Sequence, residues 1–317
     1  MRGPRTLGRL IAFAISLASA ILLNAQPRAN QSPIHISSDL VYLPVTVTDQ
    51  KGNIVARLTE EDFRVVEGGQ IDNVTFFGDQ NLPVTVGLLV DHSGSMASKL
   101  AEVAAASEAF ADSSNPQDQL FVVNFNEVVS LKLPGGVSFT SDPGALRAAV
   151  SATRAEGETA LYDAIIQALN HLTLSQEKRT ALIVVTDGGD TASHHSFQQA
   201  LELAEQSAAQ VYCVGIYDSN DPDAKPGLLR KLAKATGGTA YFPENTLQVA
   251  SEMKAIAAEL REEYVLGFVP RKAKQKPGWR ALHVTVSSPG RGKLAVRTRS
   301  GYKYVGDAII SDNGRPR

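Results

Sequence analysis

Three short stretches hold side-chain oxygens that could act together: Asp91-His-Ser93-Gly-Ser95, Gly157-Glu-Thr159 and Thr186-Asp187-Gly-Gly-Asp190. Within them, Asp91, Ser93, Ser95, Thr159 and Asp187 offer hydroxyls and carboxylates, with neither thiolate nor imidazole among the five. Hard donors of this kind suit Mg²⁺, with Mn²⁺ or Ca²⁺ as substitutes, and suit zinc or copper poorly. Five groups from three stretches can serve one ion only if the fold brings the stretches to one edge.

The patterning says how. Continuous apolar runs occupy 84–90, 120–123, 181–185 and 211–216, as expected of strands covered on both faces. Helical spacing appears between them: Met96, Leu100, Val103 and Phe110; then Leu161, Ile165, Ala168 and Leu172. Further helices are expected over 197–209 and 247–262. Alternating strands and helices predict a doubly wound α/β domain with a mostly parallel sheet and helices on both faces. In such a sheet ligands sit outside the carboxyl ends of the strands. Asp91 and Asp187 each follow a buried run, and Thr159 precedes a helix, so the five donors are expected on one edge.

Both flanks change period. Val41, Leu43, Val45 and Val47 alternate with other residues, and Leu282, Val284 and Val286 do the same, which reads as half-buried antiparallel strand. Gly68-Gly69, between 63–66 and 71–77, signals a hairpin. Pro289-Gly290 is a turn before a strand carrying Leu294 and Val296. Neither flank offers enough strands to stand alone. The expectation is one small antiparallel β subdomain built from both chain ends, 38–80 and 263–305, with the α/β domain, 81–262, inserted between them.

Asp91-x-Ser93-x-Ser95, Thr159 and the Thr-Asp-Gly at Asp187 resemble the metal-ion-dependent adhesion site of the von Willebrand factor A domain, over roughly residues 83 to 260. The flanking segments Leu58-Thr-Glu-Glu-Asp-Phe63, Tyr264-Val-Leu-Gly-Phe268 and Ser300-Gly-Tyr302 are similar to exported bacterial proteins, notably acidobacterial ones. The resemblance implies that Ser93 and Ser95 coordinate the ion through their hydroxyls and that Thr159 joins in the ligand-engaged arrangement. It implies that Asp91 and Asp187 act mainly through waters. Neutral hydroxyl ligands leave a dication under-neutralised, so a partner's Asp or Glu carboxylate can complete an octahedral shell.

The remaining sequence bounds this reading. With 43% hydrophobic and 20% charged residues, the 317-residue chain has the composition of a globular protein and not of a disordered one. A net charge of −2 gives no basic footprint, so a nucleic-acid partner is not expected. The lone Cys213 excludes an intrachain disulfide and a Cys-cluster zinc site. Arg2, Arg5 and Arg9 precede an apolar run over 10–23 and a small residue, Ala25. That is the pattern of a Sec-type signal peptide, 1–25, followed by a polar linker, 26–37. Its removal would take the net charge from −2 to −5 and leave no stretch long enough to span a membrane, with the product periplasmic or extracellular. A tail occupies 306–317.

Other motifs carry less. Ser93 beside His92, with Asp91 and Asp187, has the composition of a hydrolytic triad. Neighbouring residues point apart on a turn, however, and no Gly-x-Ser-x-Gly elbow exists. No phosphate loop or dinucleotide fingerprint is present. The acidic stretch 218–223 fails the EF-hand register at Pro222 and reads as a loop before a helix. His194-His195 reads as a solvated pair at a helix start, Cys213 as a buried small hydrophobe, and the basic run 271–276 as a solvated turn. His92, Glu158 and Asp190 border the motif and are expected at its rim, not as ligands. The resulting expectation is an exported, metal-dependent protein-binding module and not an enzyme. The alternative is a structural envelope protein whose metal site is stabilising or vestigial.

Overall fold

The computed structural model describes residues 40–78, 81–131, 133–217, 224–270 and 278–304. The expected leader, linker and tail, the acidic stretch 218–223 and the basic run 271–276 lie outside them. The chain begins with strands β1 (Val41–Thr48), β2 (Phe63–Glu67), β3 (Gln70–Asp72) and β4 (Val74–Gly78). It then alternates through β5 (Val84–Asp91), α1 (Leu100–Ser113), β6 (Gln119–Phe125), β7 (Val129–Leu131), α2 (Pro143–Ser151), α3 (Leu161–Leu172) and β8 (Arg179–Thr186). The alternation continues with α4 (Phe197–Gln206), β9 (Gln210–Gly215), α5 (Pro226–Thr236), β10 (Ala240–Tyr241) and α6 (Thr246–Glu262). Strands β11 (Tyr264–Phe268), β12 (Gly278–Val286), β13 (Ala295–Arg297) and β14 (Gly301–Tyr304) follow.

The middle of the chain makes a six-stranded sheet in the order β10-β9-β8-β5-β6-β7, parallel except for β7 at one edge. All eight residues of β5 are buried, because its neighbours β6 and β8 flank it and helices cover both faces. Helix α1 packs with α2 and α6, while α4 packs with both α3 and α5. This is the expected doubly wound α/β fold. Chain order reverses at β5, whose neighbours β6 and β8 lie on opposite sides, and that is where a crevice opens at the carboxyl ends.

One helix, α2, goes beyond the sequence reading, while α5 is the helix expected after the acidic stretch 218–223. Both α2 and α5 begin with Pro-Gly, a pair that reads as a turn but here occupies the first helical positions, where proline is pre-organised. Asp142 caps α2 by accepting from the Gly144 amide at 2.9 Å. The apolar stripes Leu146, Ala149, Val150 and Leu229, Leu232, Ala233 then bury one face of each helix.

The chain ends form two four-stranded antiparallel sheets, β13-β1-β11-β4 and β14-β12-β2-β3. Each contains strands from both ends: β1 pairs with β11 and β13, and β2 with β12. Leu43, Val45, Val47, Phe63, Val65, Tyr264, Leu266, Phe268, Leu282 and Val284 form their common core. Gly68 and Gly69, at φ 54° and 86°, supply the positive φ values that a tight β2–β3 turn needs. The expected second hairpin strand, 71–77, is divided, however. Residues up to Asp72 pair with β2, and after Asn73 the chain crosses to pair β4 with β11. The division lets one segment serve both sheets.

A buried polar cluster joins the two regions. Arg179 Nη2 lies 3.1 Å from Glu263 Oε2, and Glu263 Oε1 accepts from Gln210 Nε2 at 2.6 Å and from Thr46 Oγ1 at 3.3 Å. Arg179 also donates to the Leu82 and Leu260 carbonyls. Burial pushes the Glu263 carboxyl above its usual range, against the pull of the Arg179 charge. Glu263 stands between α6 and β11, so the cluster fixes the point where the chain leaves one region for the other.

Candidate metal centre

Asp91 ends β5 and is fully buried. Its Oδ1 accepts from the Ser93 amide at 2.8 Å, and its Oδ2 accepts from the Thr186 hydroxyl at 2.6 Å. The carboxylate therefore holds the turn after β5 against the end of β8. Burial pushes the Asp91 carboxyl above its usual range, while the Thr186 and Ser93 hydrogen bonds oppose that shift. A short 3₁₀ turn, Gly94–Met96, follows and seats Met96 in the core. Ser93 is buried just before this turn and Ser95 is exposed within it, their hydroxyl oxygens 3.2 Å apart. Ser95 Oγ in turn donates to Asp187 Oδ1 at 2.8 Å. Asp91, Ser93, Ser95 and Asp187 thus lie on one hydrogen-bonded path, which comes to the surface at the exposed Ser95.

Thr159 comes from the third loop. It is 6% exposed, and its backbone is bound on both sides: its amide donates to Thr191 Oγ1 at 3.0 Å, and its carbonyl accepts from the Thr191 and Ala192 amides. Its loop joins the first through the Gly94 amide, which donates to the Gly157 carbonyl at 3.2 Å. The Thr159 hydroxyl is not tied into the path of the other four. Gly157 adopts φ 80°, a left-handed conformation that favours glycine, and a Cβ there would displace the Glu127 carboxylate from its place beside this loop. That carboxylate accepts from the Glu158 amide at 3.1 Å.

The neighbours expected at the rim have other tasks. His92 is fully buried. Its Nδ1 lies 3.0 Å from the Val90 carbonyl and its Nε2 2.9 Å from the Val150 carbonyl, so the ring points into the core and away from Ser93. Asp190 caps α3 from a distance. Its Oδ2 accepts from the Tyr162 amide at 3.0 Å, doing what Ala160 at the N-cap position cannot. His194 and His195 both clasp Asp163 in the first turn of α3, through their backbone amides and their Nδ1 atoms. Burial pushes Asp163 upward, but those four contacts outweigh it and hold the carboxyl down at about 2. Cys213 is buried, and burial raises its thiol well above the ordinary range.

The sequence reading missed Lys99. This residue is 7% exposed and stands just before α1. Its Nζ lies 2.7 Å from Asp187 Oδ2 and 3.3 Å from the Ile216 carbonyl. A signal was present, because Lys99 falls three residues after Met96 and four before Val103, on the stripe that faces the core. Lysine is almost never buried there without a partner. Among the described residues no group of three or more His, Cys, Asp and Glu gathers to hold a metal. The donor set here consists of two carboxylates and three hydroxyls.

A family model for the von Willebrand factor type A domain matches residues 86–256, from within β5 to within α6. The chain superposes on the von Willebrand factor type A structure from Catenulispora acidiphila with a TM-score of 0.52. That match has 17% identity and covers 86% of this chain and 76% of that one. A BatB structure from Bacteroides thetaiotaomicron matches over 56% of this chain and 97% of its own, at 22% identity and a TM-score of 0.44. In sequence the chain is similar to the uncharacterized protein sll0103 of Synechocystis, 24% identical over 210 residues. That stretch is 65% of this chain and 47% of the relative, so the chain spans about half the length of the curated protein it matches. With the family model running over more than half of its length, the chain belongs to the von Willebrand factor type A domain family.

Proposed function

We propose that this protein is an exported, divalent-metal-dependent binding module that holds an acidic side chain of a partner protein through a bound Mg²⁺, with an intact metal-ion-dependent adhesion site. The observation that carries the reading is the path from Asp91 through Ser93 and Ser95 to Asp187, at the carboxyl ends of two adjacent parallel strands. The donor set fits the ion, being all oxygen and mostly neutral, as Mg²⁺ sites that also bind an external anion require. Ser93 and Ser95 would ligate directly, Thr159 would join when a partner is engaged, and Asp91 and Asp187 would hold the ion's waters. The ion supplies a positive charge for the partner's carboxylate. We assign the site a binding role and no catalytic one. His92, the base that a triad would need, turns both ring nitrogens to backbone carbonyls. Export rests on the leader pattern of residues 1–25.

One observation favours a second reading, a structural envelope protein with a vestigial site: Lys99 already gives Asp187 a cation. Calorimetric titration of Mg²⁺ or Mn²⁺ into the mature protein separates the two. The binding module is expected to take up one ion and to lose it in the double variant Asp91→Ala, Ser93→Ala. Uptake unchanged in that variant overturns the assignment. A pull-down from envelope extract, with and without EDTA, tests recognition. Identical retained proteins in both arms would leave the metal no part in it.

A further inference from the structure

We propose that Lys99 is a tethered cation that keeps the site assembled when no metal is bound and sets the concentration at which a divalent ion enters. The proposal rests on the metal reading above and names the residue that regulates it. Lys99 Nζ donates to Asp187 Oδ2 at 2.7 Å while Ser95 Oγ donates to Oδ1 at 2.8 Å. Both oxygens of Asp187 are therefore satisfied by the protein's own groups. Asp91 is likewise held on both oxygens, by the Ser93 amide and the Thr186 hydroxyl.

Two buried carboxylates brought to one sheet edge repel each other and lose their hydration, a cost that a bound dication would remove. Here an ammonium on a side chain of the same domain removes part of it. Lys99 is set at the start of α1, between the buried Met96 and Val103, and its carbonyl accepts from the Val103 amide at 3.1 Å. The backbone that carries the ammonium is therefore anchored in the core. Because the ammonium is tethered to that backbone, it cannot diffuse away when an ion arrives. A dication at the hydroxyls of Ser93 and Ser95 would share Asp187 with Lys99 and be repelled by it. A positive charge that stabilises the metal-free state and repels the metal-bound one must weaken metal affinity. Lys99 thus acts as a positioning residue for Asp187 and as a competitor of the ion.

The test uses Mn²⁺ alone as the probe, at one fixed pH, on the mature wild type and on Lys99→Met, Lys99→Gln and Lys99→Arg. Isothermal calorimetry gives the affinity, and thermal melts in EDTA and in excess Mn²⁺ give the stability of each state. The expected result is that both neutral variants bind Mn²⁺ about tenfold tighter than the wild type. They should also melt lower in EDTA and gain more from the ion, while Lys99→Arg stays near the wild type. Lys99→Gln keeps a hydrogen-bond donor for Asp187, so it gives the answer if Lys99→Met does not fold. A merely structural lysine would lower stability without tightening Mn²⁺, so equal or weaker binding in folded neutral variants overturns the role of Lys99 and leaves the metal reading standing. Binding in the neutral variants but not in the wild type supports the proposal in its strongest form. Binding in none of the four proteins overturns the metal reading, and this proposal with it.

Discussion

The two ends of the parallel sheet both bury charge, and they do so for opposite purposes. At the amino-terminal end, Arg179, Glu263, Gln210 and Thr46 meet from β8, the α6–β11 junction, β9 and β1, and all four are buried. At the carboxyl end, Asp91, Asp187 and Lys99 are just as buried, but their hydrogen bonds lead to the exposed Ser95. The first arrangement spends its polar groups on holding two regions together. The second carries its hydrogen bonds to one exposed residue, Ser95. Burial of charge is therefore common to both ends of this sheet; a polar path that reaches solvent distinguishes the carboxyl end.

The comparison can be broken most forcefully at the closed end. Glu263→Ala leaves the Arg179 guanidinium buried without its counter-charge, and the expected loss of stability is about 3–5 kcal/mol, read from denaturant unfolding. The loss should be the same in EDTA and in Mg²⁺. Asp91→Ala removes the acceptor of the Ser93 amide and of the Thr186 hydroxyl, at an expected cost of about 1–3 kcal/mol. If the open end holds an ion, that deficit grows when Mg²⁺ is added, which differential scanning calorimetry can follow.

Asp163 sharpens the comparison through pH. Its folded-state value, about 2, lies below the ordinary 3.8, so its contribution is fully present above pH 4 and is lost as the pH falls toward 2. The melting temperature of the wild type should therefore exceed that of Asp163→Asn most above pH 4, and the gap should narrow on acidification. The smallest effect is expected for Arg147→Ala. The Arg147 and Glu108 side chains, 53% and 33% exposed, pair on the surface, and solvent screening holds their contribution to about 0.5 kcal/mol or less.

Much of this was legible in the sequence, for a physical reason. A sheet covered on both faces needs uninterrupted apolar runs, and 84–90 and 181–185 show them. Because ligands follow such strands, Asp91 and Asp187 could be placed at one edge. Helix α3 was readable over 161–172 because its apolar spacing is regular. Helix α2 escaped because Pro-Gly is the same dipeptide at a turn and at a helix start, and only the cap and the packing tell them apart. His92 was expected at the rim because its neighbours are there. Its ring instead fills a core position between two carbonyls, a choice made by tertiary contacts. Lys99 was passed over because it belongs to no oxygen motif, although its place on the buried stripe marked it.

The pairing of β1 with β11 has a consequence in time. Val41 meets Phe268 and Val45 meets Tyr264, and the Thr46–Glu263 contact closes a separation of 217 residues. Loop-closure entropy makes such contacts slow to form from an open chain. Once the α/β domain has folded, however, it holds residues 84 and 262 in place and shortens the effective loop to the flanking segments. The two antiparallel sheets are therefore expected to be the last part of the molecule to assemble: during synthesis β2 meets β3 at once, but β1 waits for β11 and β2 for β12 until more than two hundred further residues have emerged. The chain's single tryptophan, Trp279, lies on β12 in this late region, so its fluorescence reports completion of the fold and is silent about its beginning.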